Sequence, residues 1–201
     1  MSEGPFAFTA ANQERARGLM ANYPPGRHKS AVLGLLDLAQ QQNGGWLSRA
    51  AMDHVAEALG MAPIRIYEVA TFYTLFNLKP VGRHLVQVCT TTPCWLRGSD
   101  EVLGACRQRL GIDTGETTAD GQFTLVEVEC LGACVNAPVV QIGDDYYEDL
   151  DAAATERILD ALARGAAPRP GPQIARQTSA PVGGPTTLSD GPTTLSDGKD
   201  G

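Results

Sequence analysis

No apolar run in the 201 residues approaches a bilayer span. The longest, Ala31-Val32-Leu33-Gly34-Leu35-Leu36, stops at Asp37, where a membrane helix needs about 20 apolar residues, so direct membrane insertion is not expected. Met1-Ser2-Glu3-Gly4-Pro5 has neither the basic region nor the apolar stretch of a secretory signal, which makes the reducing cytoplasm the expected compartment. Basic residues are scarce as well. Sixteen Lys and Arg stand against 23 Asp and Glu, a formal net charge of −7, and without a basic surface nucleic acid is not an expected partner. Within 166–201, Arg169, Arg176 and Lys199 balance Asp190, Asp197 and Asp200, so the acidic excess lies on the preceding body. The chain also lacks a Cys-x-x-Cys, which argues against the usual thiol–disulfide exchange. It shows no glycine-rich phosphate loop, so no nucleotide motif is visible. Its three histidines, His28, His54 and His84, are scattered, none beside a second plausible ligand.

What is present is a pair of cysteine segments. Cys89-Thr90-Thr91-Thr92-Pro93-Cys94 and Cys130-Leu131-Gly132-Ala133-Cys134 hold four of the five cysteines, and in a reducing compartment cysteines are better read as ligands than as disulfides. Each segment follows a run that reads as a strand, 84–88 before the first and 123–129 before the second. For four sulfurs to converge, the two strands must lie side by side and parallel. That needs a crossover, and the helical pattern with Leu103, Cys106 and Leu110 on one face supplies it. Cys106 itself reads as a small buried hydrophobe. Thiolates at these spacings suit an iron–sulfur cluster, with hydroxyl and amide donors from Thr90 to Thr92, close backbone approach at Gly132, and stiffening by Pro93 and Pro138. Structural zinc is the rival, although the commonest zinc knuckles place two residues between cysteines rather than four and three. Unrelated core cysteines are the third reading.

Along the chain, Thr9 to Met20 reads as a helix ended by Tyr23-Pro24-Pro25-Gly26. Val32, Leu35, Leu36 and Ala39 mark a second helix closing at Asn43-Gly44-Gly45, and Ser48 caps a third that carries Met52, Val55, Ala56 and Leu59 to Gly60. Residues 63–78 extend this helical bundle. The stretch from Ile64 to Phe76 concentrates four of the ten Phe and Tyr residues and is expected to be a core helix, with a partner-docking surface as the alternative. Lys79-Pro80-Val81-Gly82 breaks the pattern, so the domains are expected at 1–80 and 81–165. The second reads strand, cysteine loop, helix, strand, cysteine loop, hairpin over 139–147, and closing helix from Asp151 to Arg164. The fold class is therefore α+β with α/β character: a helical bundle followed by a βαβ-then-ββα, thioredoxin-like domain. From 166 to 201 the composition turns to Ala, Pro, Gly, Thr and Ser and ends in a tandem Gly-Pro-Thr-Thr-Leu-Ser-Asp, which reads as a disordered tail.

Val88-Cys89-Thr90-Thr91-Thr92-Pro93-Cys94, Glu129-Cys130-Leu131-Gly132-Ala133-Cys134-Val135-Asn136-Ala137-Pro138 and Tyr67-Glu68-Val69-Ala70-Thr71-Phe72-Tyr73 together resemble the NuoE family. These are thioredoxin-like [2Fe-2S] subunits of respiratory complex I, and the likeness covers about residues 10 to 165. The resemblance implies one [2Fe-2S] cluster with Cys89, Cys94, Cys130 and Cys134 as ligands. It implies a flavin partner subunit that binds FMN and NADH, and a place in the peripheral arm of NADH:quinone oxidoreductase on the cytoplasmic face of the inner membrane. The chain would then be an enzyme only as a non-catalytic, electron-transfer part of that assembly. Related subunits serve as diaphorase components of NAD-dependent formate dehydrogenases and NAD-reducing hydrogenases, and a stand-alone thioredoxin-like ferredoxin is the other alternative.

Overall fold

The computed structural model describes residues 4–183 and 187. Thr9 caps helix α1 (Ala10–Ala21) by accepting from the Asn12 amide. A 3-10 turn, His28–Ala31, leads into α2 (Val32–Gln42), which buries Leu35, Leu36, Leu38 and Ala39. Ser48 Oγ accepts from the Ala51 amide at 3.1 Å and starts α3 (Arg49–Leu59), a cap of about 1 kcal/mol. Gly60 ends it at φ 59°, a left-handed turn that glycine adopts without strain. The stripes of α2 and α3 meet α4 (Pro63–Phe72) around Leu35, Leu36, Val55, Leu59 and Ile66, all fully buried.

Helix α4 is shorter and less buried than its sequence implies. Tyr73 is extended at φ −90°, ψ 116°, and ends it, and the following loop is tied by Asn77, whose carbonyl accepts from Leu47 N (2.7 Å) and whose amide donates to the Gly45 carbonyl (2.8 Å). Ile66, Ala70 and Phe76 face the core, but Phe72 is 76% exposed and Ile64 60%, with Tyr73, Leu75 and Leu78 also out in solvent. The expectation of a core helix holds for one face only. The other is an apolar surface, because a helix of ten residues has a single stripe to bury.

Five strands, β1 (His84–Cys89), β2 (Phe123–Val128), β3 (Val140–Ile142), β4 (Asp145–Glu148) and β5 (Gly171–Pro172), form one sheet in the order β2-β1-β3-β4-β5. His84 N donates to Gln122 O at 2.8 Å and Thr90 N to Val128 O at 3.4 Å. The partners advance in step, so β1 and β2 run parallel as the cysteines require. Between them come a short helix α5 (Thr92–Leu96) and the crossover α6 (Ser99–Leu110), which buries Val102, Leu103, Ala105 and Cys106. β3 pairs antiparallel with β1 (Val88 opposite Val140) and with β4, and α7 (Ala152–Ala163), capped by Asp151, packs against α6. The expected βαβ-then-ββα order is present.

The first of the two compact units runs to Leu85 and takes in Ile112–Leu125. The second holds Val86–Gly111 and the chain from Val126. Residues 115–118 fall in the first because they turn back along the outer edge of β2, Gly115 N to Leu125 O (2.7 Å) and Thr118 N to Phe123 O (2.8 Å). Gly82 lies so close to β2 that its amide donates to Thr124 Oγ1 at 2.6 Å. Among the described residues no helix is long and apolar enough to cross a membrane.

The segment after Gly165 departs from the reading of a disordered tail. β5 pairs parallel with β4, Gln173 N donates to Glu148 O at 2.9 Å, and Arg176 is buried against Asp149. A two-residue ladder and one ion pair hold it where apolar content does not, and composition is blind to both. The tandem repeat lies outside the described residues apart from Thr187.

Candidate metal centre

β1 ends on Cys89, whose amide donates to Val139 O at 3.1 Å. Three residues on, α5 begins with Pro93 in its first turn, a position that needs no N–H, and carries Cys94 inward. The second loop leaves β2 at Cys130. Gly132 sits at φ 81°, which glycine alone adopts cheaply, and this turns its amide toward Cys130 Sγ at 3.4 Å. Cys134 opens a 3-10 turn to Asn136. The Tyr146 hydroxyl donates to Leu131 O at 2.9 Å and pins the loop from β4. Cys89 and Cys94 are buried with Ala137 and Val139, whereas Cys130 and Cys134 are exposed.

The two loops face each other through their polar groups. Burial works to raise the Cys89 thiol, but hydrogen bonds from the Thr91 hydroxyl, the Leu131 and Thr91 amides and the Cys94 thiol bring it below its ordinary value. The Gly132 amide, then the Cys134 thiol and the Thr91 hydroxyl, lower Cys130. Their partners move the other way. Burial, the bond to Cys89 and the neighbouring cysteine charges push Cys94 up to about 12. Cys134 rises because its thiol donates to Cys130, helped by burial and by the charges of Cys130 and Cys89. In each pair one sulfur is lowered and its partner raised, as expected when the second donates its hydrogen bond to the first.

The donor set fits a two-iron cluster. Cys130 Sγ and Cys134 Sγ are 3.4 Å apart, close to the separation of about 3.8 Å that two thiolates adopt on one tetrahedral metal with bonds of about 2.3 Å. Among the described residues no group of three or more His, Cys, Asp or Glu side chains is gathered to chelate a single ion. The Cys89–Cys94 and Cys130–Cys134 hydrogen bonds divide the four thiols into two pairs, an arrangement that suits one pair per iron. Cys106 stands apart, fully buried on α6. His54 accepts from the Phe8 amide at 3.3 Å, and His84 lies against Phe123 with ring centroids 5.2 Å apart, both away from the cysteines. Sequence reasoning missed Tyr146 and the Leu131 amide, whose roles depend on strand register. Gly132 was legible as a point of close backbone approach, and its left-handed φ was not.

The family model described as thioredoxin-like [2Fe-2S] ferredoxin matches residues 16–163. The chain belongs to the thioredoxin-like [2Fe-2S] ferredoxin family. Within this family it is similar to the E subunit of NADH-quinone oxidoreductase from Rickettsia bellii (strain RML369-C), 59% identical over 157 residues that make up 78% of this chain and 94% of that one. It is also similar to mitochondrial NADH dehydrogenase [ubiquinone] flavoprotein 2 of Dictyostelium discoideum, 53% identical over 92% of this chain and 74% of that protein. Among solved structures, NAD+-reducing [NiFe]-hydrogenase in the H2-reduced state superimposes with a TM-score of 0.59 over 67% of this chain. At 22% identity, and with the match spanning 23% of that hydrogenase chain, the likeness is one of fold.

Proposed function

We propose that this member of the thioredoxin-like [2Fe-2S] ferredoxin family is the electron-transfer subunit of an NADH:quinone oxidoreductase, working beside a flavin subunit that holds FMN and binds NADH. The observation that carries the reading is 59% identity to the Rickettsia bellii oxidoreductase subunit across most of both chains, including the segments that hold the four cysteines. Cys89 with Cys94, and Cys130 with Cys134, are the ligand pairs. Bound there, a [2Fe-2S] cluster supplies one-electron chemistry and the chain supplies its environment. Thr91, Leu131 and Gly132 give the hydrogen bonds that tune it, and burial of Cys89 and Cys94 keeps water from one side. The residues next to the ligands form the electron-transfer face: Trp95 is 57% exposed, Leu96 70% and Val135 69%, apolar groups that a partner surface covers. The exposed apolar surface at the end of α4, made by Phe72 and by Tyr73 and Leu75 of the loop that follows, is a second contact surface for the assembly. The placement is peripheral, on the cytoplasmic face of the membrane. A diaphorase role in an NAD-reducing hydrogenase shares the fold, but the higher identity favours the quinone-linked complex.

The test is an absorption and EPR spectrum before and after dithionite, with iron and sulfide analysis of single Cys→Ala variants. A red-brown chain with an axial or rhombic signal on reduction is expected, lost in variants of Cys89, Cys94, Cys130 or Cys134 and kept in Cys106→Ala. A colourless chain, or a Cys134 variant with its full iron complement, overturns the assignment. Rapid reduction by NADH without any flavoprotein overturns the subunit role.

A further inference from the structure

The C-terminal strap meets the second cysteine loop through one side chain. Arg176 Nη1 donates to the Val135 carbonyl at 3.1 Å and to Asn136 Oδ1 at 2.9 Å, and pairs with Asp149 Oδ1 at 3.3 Å and Oδ2 at 3.4 Å. Both charged side chains are nearly out of water, 8% and 4% exposed. Val135 and Asn136 directly follow Cys134, so the guanidinium grips the backbone and side chain of the 3-10 turn that this cysteine opens. Further bonds close the arrangement: Asn136 Nδ2 donates to Thr178 O at 3.0 Å and to the Glu148 carboxylate, and Asp149 N donates to Asn136 O at 2.7 Å. Asp149 holds φ 52°, a left-handed conformation uncommon for a residue with a side chain, which marks a position set by its surroundings.

We infer that Arg176 is a positioning residue for the Cys130–Cys134 ligand pair, and that the buried Arg176–Asp149 pair balances the electric field at the cluster. The inference rests on the reading of these cysteines as cluster ligands. Reduction of the cluster adds one negative charge, which a neighbouring guanidinium favours and a neighbouring carboxylate opposes. Out of water these influences are weakly screened. With both groups present they largely cancel. Removing either one exposes the other, and the two removals act with opposite sign.

The experiment is an EPR-monitored redox titration of the cluster-loaded full chain as wild type, Arg176→Gln and Asp149→Asn. Asparagine tolerates the left-handed backbone at 149, so Asp149→Asn changes charge with little strain. The expected result is a midpoint potential displaced negative in Arg176→Gln and positive in Asp149→Asn, with altered g values in the first. Iron release to a chelator should be roughly 10- to 100-fold faster in Arg176→Gln, the scale of losing a supporting contact behind a metal ligand. A purely structural role moves both potentials in one direction or neither, and that result overturns the inference while leaving the cluster assignment intact. If Arg176→Gln does not fold, Asp149→Asn alone decides, because a shift of zero or of negative sign is refutation. Absence of the reduced-cluster signal in the wild type overturns this inference together with the assignment beneath it.

Discussion

Replacing Gly82 with alanine places a methyl group where β1 and β2 begin. The new Cβ would lie 2.7 Å from the Phe123 carbonyl carbon, 2.8 Å from its nitrogen and 3.0 Å from the Gln122 carbonyl carbon. Carbon atoms meet comfortably at about 3.5–4.0 Å, so the overlap is about 0.8 Å, and it is against backbone that no rotamer change can move aside. Relief requires the strand starts to separate, straining the Gly82 N to Thr124 Oγ1 bond (2.6 Å), Arg83 N to Gly121 O (3.0 Å) and His84 N to Gln122 O (2.8 Å). Overpacking costs about 1–3 kcal/mol and a weakened hydrogen bond about 1 kcal/mol, giving a loss on the order of 2–4 kcal/mol. For a chain of this size that corresponds to a fall in Tm of roughly 5–15 °C. The assay is a thermal melt followed by far-ultraviolet circular dichroism, with Gly104→Ala as control. Gly104 lies exposed within α6 with nothing within 4 Å of its added Cβ, so alanine there should hold or slightly raise Tm. A Gly82→Ala protein melting within about 2 °C of wild type would refute the claim that this contact is tight.

Three further outcomes follow from the structure. Cys106, whose thiol burial pushes up to about 12, should resist iodoacetamide in the native chain at pH 8 and react only on unfolding, as mass spectrometry of the labelled peptide would show. Truncation after Gly165 removes the β4–β5 ladder and the Arg176–Asp149 pair and should cost about 1–3 kcal/mol in denaturant unfolding, and an unchanged midpoint would count against it. Burial, with the Arg83 charge, lowers the His84 pKa below its ordinary 6.5. The unfolded chain therefore takes up the proton first, stability falls as pH drops below about 6.5, and His84→Gln should flatten that part of the profile; an unchanged slope would count against it.

The helices of the first unit were legible because their ends are written locally, in Ser48 and Gly60 and in the spacing of Leu35, Leu36 and Ala39. The cysteines were legible for a similar reason: two short spacings behind two apolar runs leave few arrangements. What escaped sequence reasoning depends on partners distant in the chain. The expected cut at residue 80 differs from the two compact units over 81–85 and 112–125, since only the folded chain shows Gly121 bonded to Arg83. Arg176 counted as one charge among six in a polar segment, and its burial follows from Asp149, 27 residues earlier. The exposed side of α4 carries the same residue types as its buried side, so hydropathy alone could not tell Phe72 from Ile66.

A subunit that waits for its complex with Phe72, Trp95 and Leu96 uncovered is at risk of associating with copies of itself. The margins of its sheet limit the form this takes. On one side residues 115–118 pair with the first half of β2, residues 123–125, and on the other β5 is two residues long and includes a proline, which has no N–H to offer. Among the described residues, both margins leave only a short stretch of ladder for another chain to extend. An orphaned copy would therefore meet its neighbours mainly through side-chain patches, which separate again when a proper partner competes for them, and less through strand addition of the kind that nucleates fibrils.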